Sequence, residues 1–144
     1  MKINFGCGGN KIPDWINHDA EVPIDKPLPY PDNCADAIHA GHVVEHISHI
    51  KALGFLKECH RILRPGGVVK ICIPVLDRLE RGHAVDIICN HGHEAAYSSE
   101  LIGLMLFAAG FEKSNIRPVG RSDIDGHFRV IGLEKDTQET SRWE

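Results

Sequence analysis

Four short segments within the first 73 residues have the length and the apolar composition of β-strands. They cover residues 2–5, 15–19, 35–40 and 68–73. The first segment stops at glycines, and the second lies between two turn-forming sequences. The fourth is almost continuously apolar, which is typical of a parallel strand that is covered on both faces.

The clearest helical pattern covers residues 48–63. Its apolar side chains recur at steps of three and four residues, and Pro65-Gly66-Gly67 ends the pattern because a residue before proline avoids the helical conformation. Strand, helix and strand alternate here, as they do in α/β folds. Residues 79–97 contain several histidines and show no clear period, so a loop or an irregular helix is predicted there.

A second helix is predicted up to Ala109. Ser98 or Ser99 suits its N-cap, because a serine hydroxyl accepts a hydrogen bond from a backbone N–H of the first turn. Glu100 lies in that turn, where the helix dipole favours an acid, and Gly110 suits the position just after the helix.

The rest of the C-terminal part predicts two strands and a tail. The strands are expected over residues 111–119 and 127–133, and the polar tail over residues 135–144 is expected to fray. With 144 residues, of which 42% are hydrophobic, the chain is long enough for one domain with a core. We therefore expect a single domain over residues 1–134.

Composition argues against several classes of protein. The formal net charge of -4 argues against a strongly basic surface, so a nucleic-acid partner is not expected. The five cysteines are odd in number and widely spread, which suits reduced thiols and predicts a cytoplasmic location. No stretch approaches the roughly 18 apolar residues that a membrane span needs, so no membrane association is predicted.

A glycine loop, Asn4-Phe5-Gly6-Cys7-Gly8-Gly9, contains the end of the first predicted strand. Glycines at this point let the backbone approach a ligand closely and expose its N–H groups. Glycines also serve tight turns that bind nothing, so both interpretations are open for the loop alone.

Further motifs follow the loop in a specific order. They are Trp15-Ile16-Asn17-His18-Asp19, Pro27-Leu28-Pro29-Tyr30-Pro31-Asp32-Asn33, His42-Val43-Val44-Glu45-His46 and Glu58-Cys59-His60-Arg61-Ile62-Leu63-Arg64-Pro65-Gly66-Gly67. Together with the loop, they resemble the class I S-adenosylmethionine-dependent methyltransferases, in particular small members of that family. The resemblance implies a Rossmann-like three-layer α/β sandwich with a mostly parallel sheet, an antiparallel strand from residues 127–133 and an abbreviated first helix.

The resemblance also implies a site for S-adenosylmethionine, which leaves as S-adenosylhomocysteine. Asp19 would accept hydrogen bonds from the ribose diol, although aspartate at such a point also serves as a cap or turn residue. Asp25 and Lys26 would lie near the adenine, and an ordinary turn is an equal alternative for Asp25. The other residues that the resemblance places around the cofactor are Phe5, Gly6, Cys7, Gly8 and Ala40.

Two positions depart from the usual pattern of this family. Asn4 stands where many members have an acid, and Asn10 stands where many have a third glycine. We therefore expect the methionine end of the cofactor to be held in an unusual way. A nicotinamide dinucleotide is not expected, because Lys11 occupies the third glycine of the motif for that ligand and no helix has room to follow.

His42 and His46 are the candidate catalytic residues. The resemblance places them just past the strand over residues 35–40, at the edge where α/β folds bind ligands. The sulfonium already activates the methyl group, so the enzyme mainly aligns the acceptor, and a histidine suits the removal of a proton. Each histidine also has a structural interpretation, in which it bonds to Glu45 or to the backbone.

Two sequence patterns could bind a metal ion. His42-Val43-Val44-Glu45-His46 matches a motif of some zinc peptidases, whose histidines share one helical face. In an extended segment, Cys89, His91 and His93 would point to one side. No third ligand is evident for the first pattern and no fourth ligand for the second, so we expect neither to bind a metal.

The sequence thus predicts methyl transfer from S-adenosylmethionine to an unidentified acceptor, expected to be a small molecule. The alternative is a catalytically inactive module that keeps the fold and binds the cofactor or a partner protein. The short region over residues 77–97 makes this alternative plausible, because larger members of the family place substrate-binding elements there.

Overall fold

The computed structural model of the protein describes residues 1–78, 81–118 and 126–131. Within these ranges, one sheet contains the strands β1 (Lys2–Phe5), β2 (Ile16–His18), β3 (Ala35–Gly41), β4 (Leu63–Ile73), β5 (Ile116–Pro118) and β6 (Gly126–Ile131). The α-helices are α1 (His49–Ile62), α2 (Arg81–Asn90) and α3 (Ser99–Ala108). The predicted boundary at residue 134 and the predicted tail over 135–144 lie outside the described residues, as does the end of the predicted strand over 127–133.

The strand order in the sheet is β2-β1-β3-β4-β6-β5. The first four of these strands are parallel, with Asn4 opposite Asn17 on one side and opposite His39 on the other. Strand β6 pairs antiparallel with both β4 and β5. The mostly parallel sheet confirms the predicted Rossmann-like α/β fold. Because the chain leaves β1 toward β2 and returns on the other side as β3, a topological switch point lies between β1 and β3.

The helices predicted over residues 48–63 and up to Ala109 are confirmed as α1 and α3. Ser48 caps α1 by accepting a hydrogen bond from the backbone N–H of Lys51, and Ser98 caps α3 in the same way from Leu101. Gly110 follows α3 with a positive φ of 117°, a conformation that glycine adopts without the steric cost of a side chain. Within the described part of the chain, no helix is both long and apolar enough to cross a membrane.

Two segments differ from the sequence prediction. Helix α2 forms where a loop or an irregular helix is predicted. Among its described side chains, only Ala84 and Ile87 are partly buried, and two such positions make no detectable helical pattern. The strand predicted over residues 111–119 is shorter than expected. Lys113–Asn115 form a 3-10 turn, so the strand β5 begins only at Ile116.

The two faces of the sheet are covered differently. Helices α1 and α3 share the large hydrophobic core on one face. The opposite face carries Asn4 and His39, which lie side by side on β1 and β3, and a small cluster of Trp15 with Ala37 and Val68. All residues between β1 and β2 are described, and none of them is helical. The abbreviated first helix is therefore confirmed, and a loop takes its place.

Asn17 holds this loop in place. Its side-chain Nδ2 donates to the carbonyls of Ile12 (3.0 Å) and Trp15 (2.9 Å). Its Oδ1 accepts from the backbone N–H of Ile12 (2.9 Å) and from Nδ2 of Asn4 (2.9 Å). Asn4 also donates to the carbonyl of Asn10 (3.1 Å). These bonds satisfy polar groups that would otherwise need another partner, so the loop is tied to both strands.

Glu58 and Arg61 on α1 hold the proline-rich segment that precedes β3. The Arg61 guanidinium donates to the carbonyl of Tyr30 (2.8 Å) and to Asp32 (2.7 Å), and Glu58 accepts from the backbone N–H of Leu28 (2.8 Å). The hydrogen bonds from Arg61 keep the pKa of Glu58 below its usual range. Two motifs that are separate in the sequence are therefore in direct contact in the fold.

We expect Asn17→Ala to lower the free energy of unfolding by about 2–4 kcal/mol. The substitution removes four hydrogen bonds, each worth about 1 kcal/mol net, and leaves their partners unsatisfied. Urea unfolding followed by circular dichroism measures the loss. The matched control is Asn10→Ala, which keeps the backbone carbonyl that Asn10 contributes. An equal loss in both variants would contradict the role of the Asn17 amide.

Candidate cofactor site

A crevice opens at the carboxyl edge of the parallel strands, at the switch point between β1 and β3. Its larger part has a volume of about 450 Å³, and residues that line it include Asp19, Asp25, His42, Val43 and His46. Its smaller part has a volume of about 240 Å³, and residues that line it include Asn4, Gly6, Asn10, His39 and Cys72. His42 lines both parts, so they adjoin at this residue.

The glycine loop makes a close contact with the segment after β3. Gly6 has a φ of +63°, and a Cβ atom added there would lie 2.3 Å from Cγ2 of Val43. Both the conformation and the contact therefore exclude a larger residue. Gly8 also has a positive φ, of 47°. Gly9 differs from Gly6, because a Cβ atom added to Gly9 would meet nothing within 4 Å. Gly6 lines the smaller part of the crevice and Val43 the larger, so their contact lies between the two.

Asp19 follows β2 directly and lines the larger part of the crevice. Its backbone N–H donates to the carboxylate of Glu21, at 3.0 and 3.1 Å from the two oxygens. Asp25 lines the same part, and its Oδ2 accepts a hydrogen bond from Nζ of Lys51 (3.2 Å). Lys26 is exposed and does not line either part of the crevice. The two acids are thus brought together, and Lys26 lies apart from them.

Three predicted cofactor residues have buried side chains: Phe5, Cys7 and Ala40. The ring of Phe5 packs in the core against Phe55, with the ring centroids 5.6 Å apart. The backbone N–H of Cys7 donates to the carbonyl of His18 (2.9 Å), and Cys7 lines the smaller part of the crevice. The side chains of Phe5 and Ala40 therefore belong to the core, and neither residue is among those that line the two parts of the crevice.

His42 has an unusual backbone conformation. Its φ of +56° is uncommon for a residue with a side chain, and such strain is often found at functional sites. The backbone N–H donates to the carbonyl of Cys72 (2.8 Å), and ring Nδ1 lies 3.1 Å from Oε1 of Glu45. With Glu45 ionised, its carboxylate can only accept, so Nδ1 of a neutral His42 ring carries the proton and Nε2 carries the lone pair.

His46 does not share a helical face with His42. It ends the short 3-10 helix Val44–His46, which follows the left-handed His42, so the α-helical spacing of the zinc-peptidase motif is absent here. Nδ1 of His46 lies 3.3 Å from the carbonyl oxygen of Gly92, and its ring packs against His93 with the centroids 4.8 Å apart. The two candidate catalytic histidines therefore have different surroundings.

The smaller part is also lined by three residues that are not predicted from the sequence: His39, Gly41 and Cys72. Nδ1 of His39 lies 3.0 Å from Oδ1 of Asn4, and Nε2 of His39 lies 3.9 Å from Sγ of Cys72. The available signal was the register of the sheet, since His39 lies opposite the unusual Asn4. A polar residue on a central strand is a site candidate when its neighbour, here Asn4, stands where many relatives have an acid.

Glu45 is almost completely buried beside these groups. Its Oε2 has no hydrogen-bond partner among the described residues. Burial, with a further contribution from the charge of Glu45, raises the pKa of Tyr97 to about 12. Burial lowers the pKa of His93, although the charge of Glu45 opposes this shift. At neutral pH, Tyr97 therefore remains protonated, and the shift of His93 favours its neutral ring.

Comparison with known proteins identifies relatives in sequence. Residues 4–71 match a family model described as a methyltransferase domain. A probable S-adenosylmethionine-dependent methyltransferase of Mycolicibacterium smegmatis is 33% identical over 115 residues, which make up 77% of this chain and 43% of that protein. The mitochondrial ubiquinone biosynthesis O-methyltransferase of Mus musculus is 34% identical over 55 residues, 38% of this chain and 14% of that protein. The chain thus spans less than half the length of these curated relatives.

A solved structure has the same fold. A methyltransferase of Thermotoga maritima, described as a possible histamine N-methyltransferase, aligns with a TM-score of 0.71 at 16% identity. The alignment covers 91% of this chain and 81% of that one, and at this identity it shows a shared fold alone. The region that matches the family model contains the glycine loop, Asp19 and the segment after β3. The ordered motifs and these matches make the chain similar to the S-adenosylmethionine-dependent methyltransferases, and its mostly parallel sheet has the class I fold of that family.

Proposed function

We propose that this chain binds S-adenosylmethionine across both parts of the crevice and transfers its methyl group to a small-molecule acceptor. The observation that carries the proposal is the meeting of three segments at one edge of the sheet. These segments are the loop at Gly6, the turn at Asp19 and the left-handed residue His42. They offer backbone N–H groups, a carboxylate suited to a ribose diol and an imidazole that borders both parts. We propose a domain over residues 1–134 for this function.

We place the ribose at Asp19, the adenine toward Asp25 and the methionine end in the smaller part. The side chain of Asn4 already bonds to Asn10, Asn17 and His39. It replaces the acid of many relatives with an internal hydrogen-bond network. We therefore propose that the methionine end is held mainly by the backbone of the glycine loop.

The reaction is an in-line displacement at the methyl carbon. An electron pair of the acceptor atom forms the new bond while the bond to sulfur breaks, and sulfur keeps that electron pair in neutral S-adenosylhomocysteine. Positioning of the acceptor supplies most of the rate. Where the acceptor atom carries a proton, the imidazole of His42 takes it, and the carboxylate of Glu45 beside Nδ1 stabilises the resulting imidazolium. His46, whose ring lies against Gly92 and His93, is the second candidate for this role.

A module that binds the cofactor without turnover is the second candidate function. One observation favours it: the region between β4 and α3 is short. Both functions need the same cofactor site, so only turnover separates them. The cytoplasmic location and the small size of the acceptor stay predictions from the sequence.

We expect Gly6→Ala to weaken the binding of S-adenosylhomocysteine by at least about tenfold. The new methyl group would collide with Val43, and the left-handed conformation costs roughly 1–2 kcal/mol for a residue with a side chain. Isothermal titration calorimetry measures the affinity, and circular dichroism verifies that the variant is folded. Gly9→Ala is the matched control, because a Cβ atom there meets nothing within 4 Å. Equal affinities of the two variants would refute the proposed role of the loop.

We expect Asp19→Asn to raise the Kd for S-adenosylhomocysteine by about 10- to 100-fold. Hydrogen bonds to a charged group contribute roughly 1.5–3 kcal/mol, and the amide retains only part of this. The control is Asp14→Asn, which makes the same charge change at an exposed residue with a positive φ that asparagine tolerates. An unchanged Kd in Asp19→Asn would show that the ribose does not bind at this position.

We expect His42→Gln to reduce methyl transfer by about 10²- to 10⁴-fold, the usual contribution of a general base, with little change in the Kd for S-adenosylmethionine. The release of S-adenosylhomocysteine is measured with a mixed panel of phenols, amines, thiols and carboxylic acids. A full rate in His42→Gln would exclude His42 as the base. Cofactor binding by the unmodified chain without turnover of any panel compound would favour the module.

A further inference from the structure

Glu45, His46 and His93 form a cluster beside the crevice, called here the Glu45 cluster. Each residue offers one atom that can ligate a metal, and these atoms all lie within 4.8 Å of one another. Glu45 is buried, His93 is half-buried and His46 is exposed. One side of the cluster is therefore buried in the protein, and the other side is accessible to solvent.

Backbone hydrogen bonds hold the two segments of this cluster together. The carbonyl of Glu45 accepts from the N–H groups of Glu94 (2.8 Å) and Ala95 (3.1 Å), which places His93 next to it. Nδ1 of His46 lies 3.3 Å from the carbonyl oxygen of Gly92, and a carbonyl only accepts, so Nδ1 donates and Nε2 carries the lone pair. This arrangement is typical of metal-ligating histidines, whose other ring nitrogen donates to a carbonyl or a carboxylate.

A second, independent observation comes from the carboxylate of Glu45. Its Oε1 lies 3.1 Å from Nδ1 of His42, whereas Oε2 is buried and has no hydrogen-bond partner in the described part of the chain. A buried carboxylate oxygen needs a donor or a cation, because it has lost its contact with water. A cation bound by the cluster would supply that partner.

We propose that the Glu45 cluster binds a divalent transition-metal ion, with Zn²⁺ as the reference ion. Two imidazoles and one carboxylate form the donor set of several zinc enzymes, in which a further position stays open. Mg²⁺ and Ca²⁺ prefer sites made of oxygen ligands alone, so this set disfavours them. The Zn²⁺–ligand distances of about 2.0–2.2 Å need ligand atoms closer together than 4.8 Å, and the exposed ring of His46 can rotate to close the gap.

The cluster combines one part of each metal pattern in the sequence. His42 does not join it, because its ring Nδ1 bonds to Oε1 of Glu45 and its left-handed backbone breaks the helical spacing. His91 does not join it either, since its Nε2 lies 2.9 Å from Oδ2 of Asp86. The sequence patterns at residues 42–46 and 89–93 were each considered as a separate ligand set, and neither is expected to bind a metal. The fold separates the members of each set. With His46 as a ligand, His42 is the remaining candidate base.

A cavity of about 190 Å³ borders the cluster on the side of α2. Glu45 and His93 line it together with the apolar side chains of Ile87 and Ile88. An open coordination position on this side would face a space with apolar walls. The proposal for the metal does not depend on the glycine loop or the turn at Asp19, although the cluster shares Glu45 and His46 with the proposed proton transfer.

The test is Zn²⁺ titration of the full chain after treatment with a chelator, followed by isothermal calorimetry. We expect one Zn²⁺ per chain. Removing a residue that only hydrogen-bonds to a metal ligand lowers metal affinity by roughly 10- to 100-fold. Because His93 is itself a proposed ligand, we expect His93→Ala to weaken Zn²⁺ binding by at least this factor. His91→Ala is the matched control and should bind as the unmodified chain does. Co²⁺ in place of Zn²⁺ gives a visible absorption spectrum, which His93→Ala should abolish and His91→Ala should keep.

Several outcomes would overturn the proposal. They are no heat from Zn²⁺, tighter binding of Mg²⁺ than of Zn²⁺, unchanged binding in His93→Ala, or loss of binding in His91→Ala. Circular dichroism of His93→Ala verifies its fold, and His46→Ala provides a second variant at an exposed position. Binding of S-adenosylhomocysteine is measured on the same samples, so a failure of the cofactor site is distinguished from a failure of the metal site.

Discussion

The hydrogen bonds of Asn17 hold the part of the structure on which the cofactor site depends. Strands β1 and β2 are joined by a loop without a helix, so neither helical hydrogen bonds nor an apolar helix face holds the connection. The amide of Asn17 binds the loop backbone at Ile12 and Trp15 and the side chain of Asn4. The loop that follows β1 and the turn that follows β2 therefore keep a fixed separation, and both border the crevice.

The segment after β3 is the second constraint, because it contacts both the glycine loop and the loop that precedes α3. Val43 lies against Gly6, and His42 borders both parts of the crevice. The carbonyl of Glu45 binds the loop at Glu94, while its side chain bonds to His42. The proposed base and the proposed metal ligands thus belong to one short stretch of backbone. A change in its conformation would alter both sites together.

The parts of the fold with strong local patterns were predictable. Helix α1 has an apolar face and a serine cap, and both signals lie within the segment itself. Helix α2 was predicted only as a loop or an irregular helix, because its described side chains are mostly exposed. The role of Asn17 was missed, since an asparagine in a short strand gives no sign of the loop backbone that its side chain binds. His39 was missed for the same reason, because its partners lie on β1 and β4.

The sequence by itself determined the first four strands, the two capped helices, the glycine loop, Asp19 after the second strand and hence the resemblance to the methyltransferase family. These features depend on periodicity and on motifs of neighbouring residues, which are visible without coordinates. Only the tertiary structure decided which histidines lie next to one another. The spacing of His42 and His46 predicts a shared face only in an α-helix, and the left-handed conformation of His42 prevents that helix. Backbone hydrogen bonds between Glu45 and a loop almost fifty residues later bring His93 to His46 instead, and no local pattern encodes such a contact.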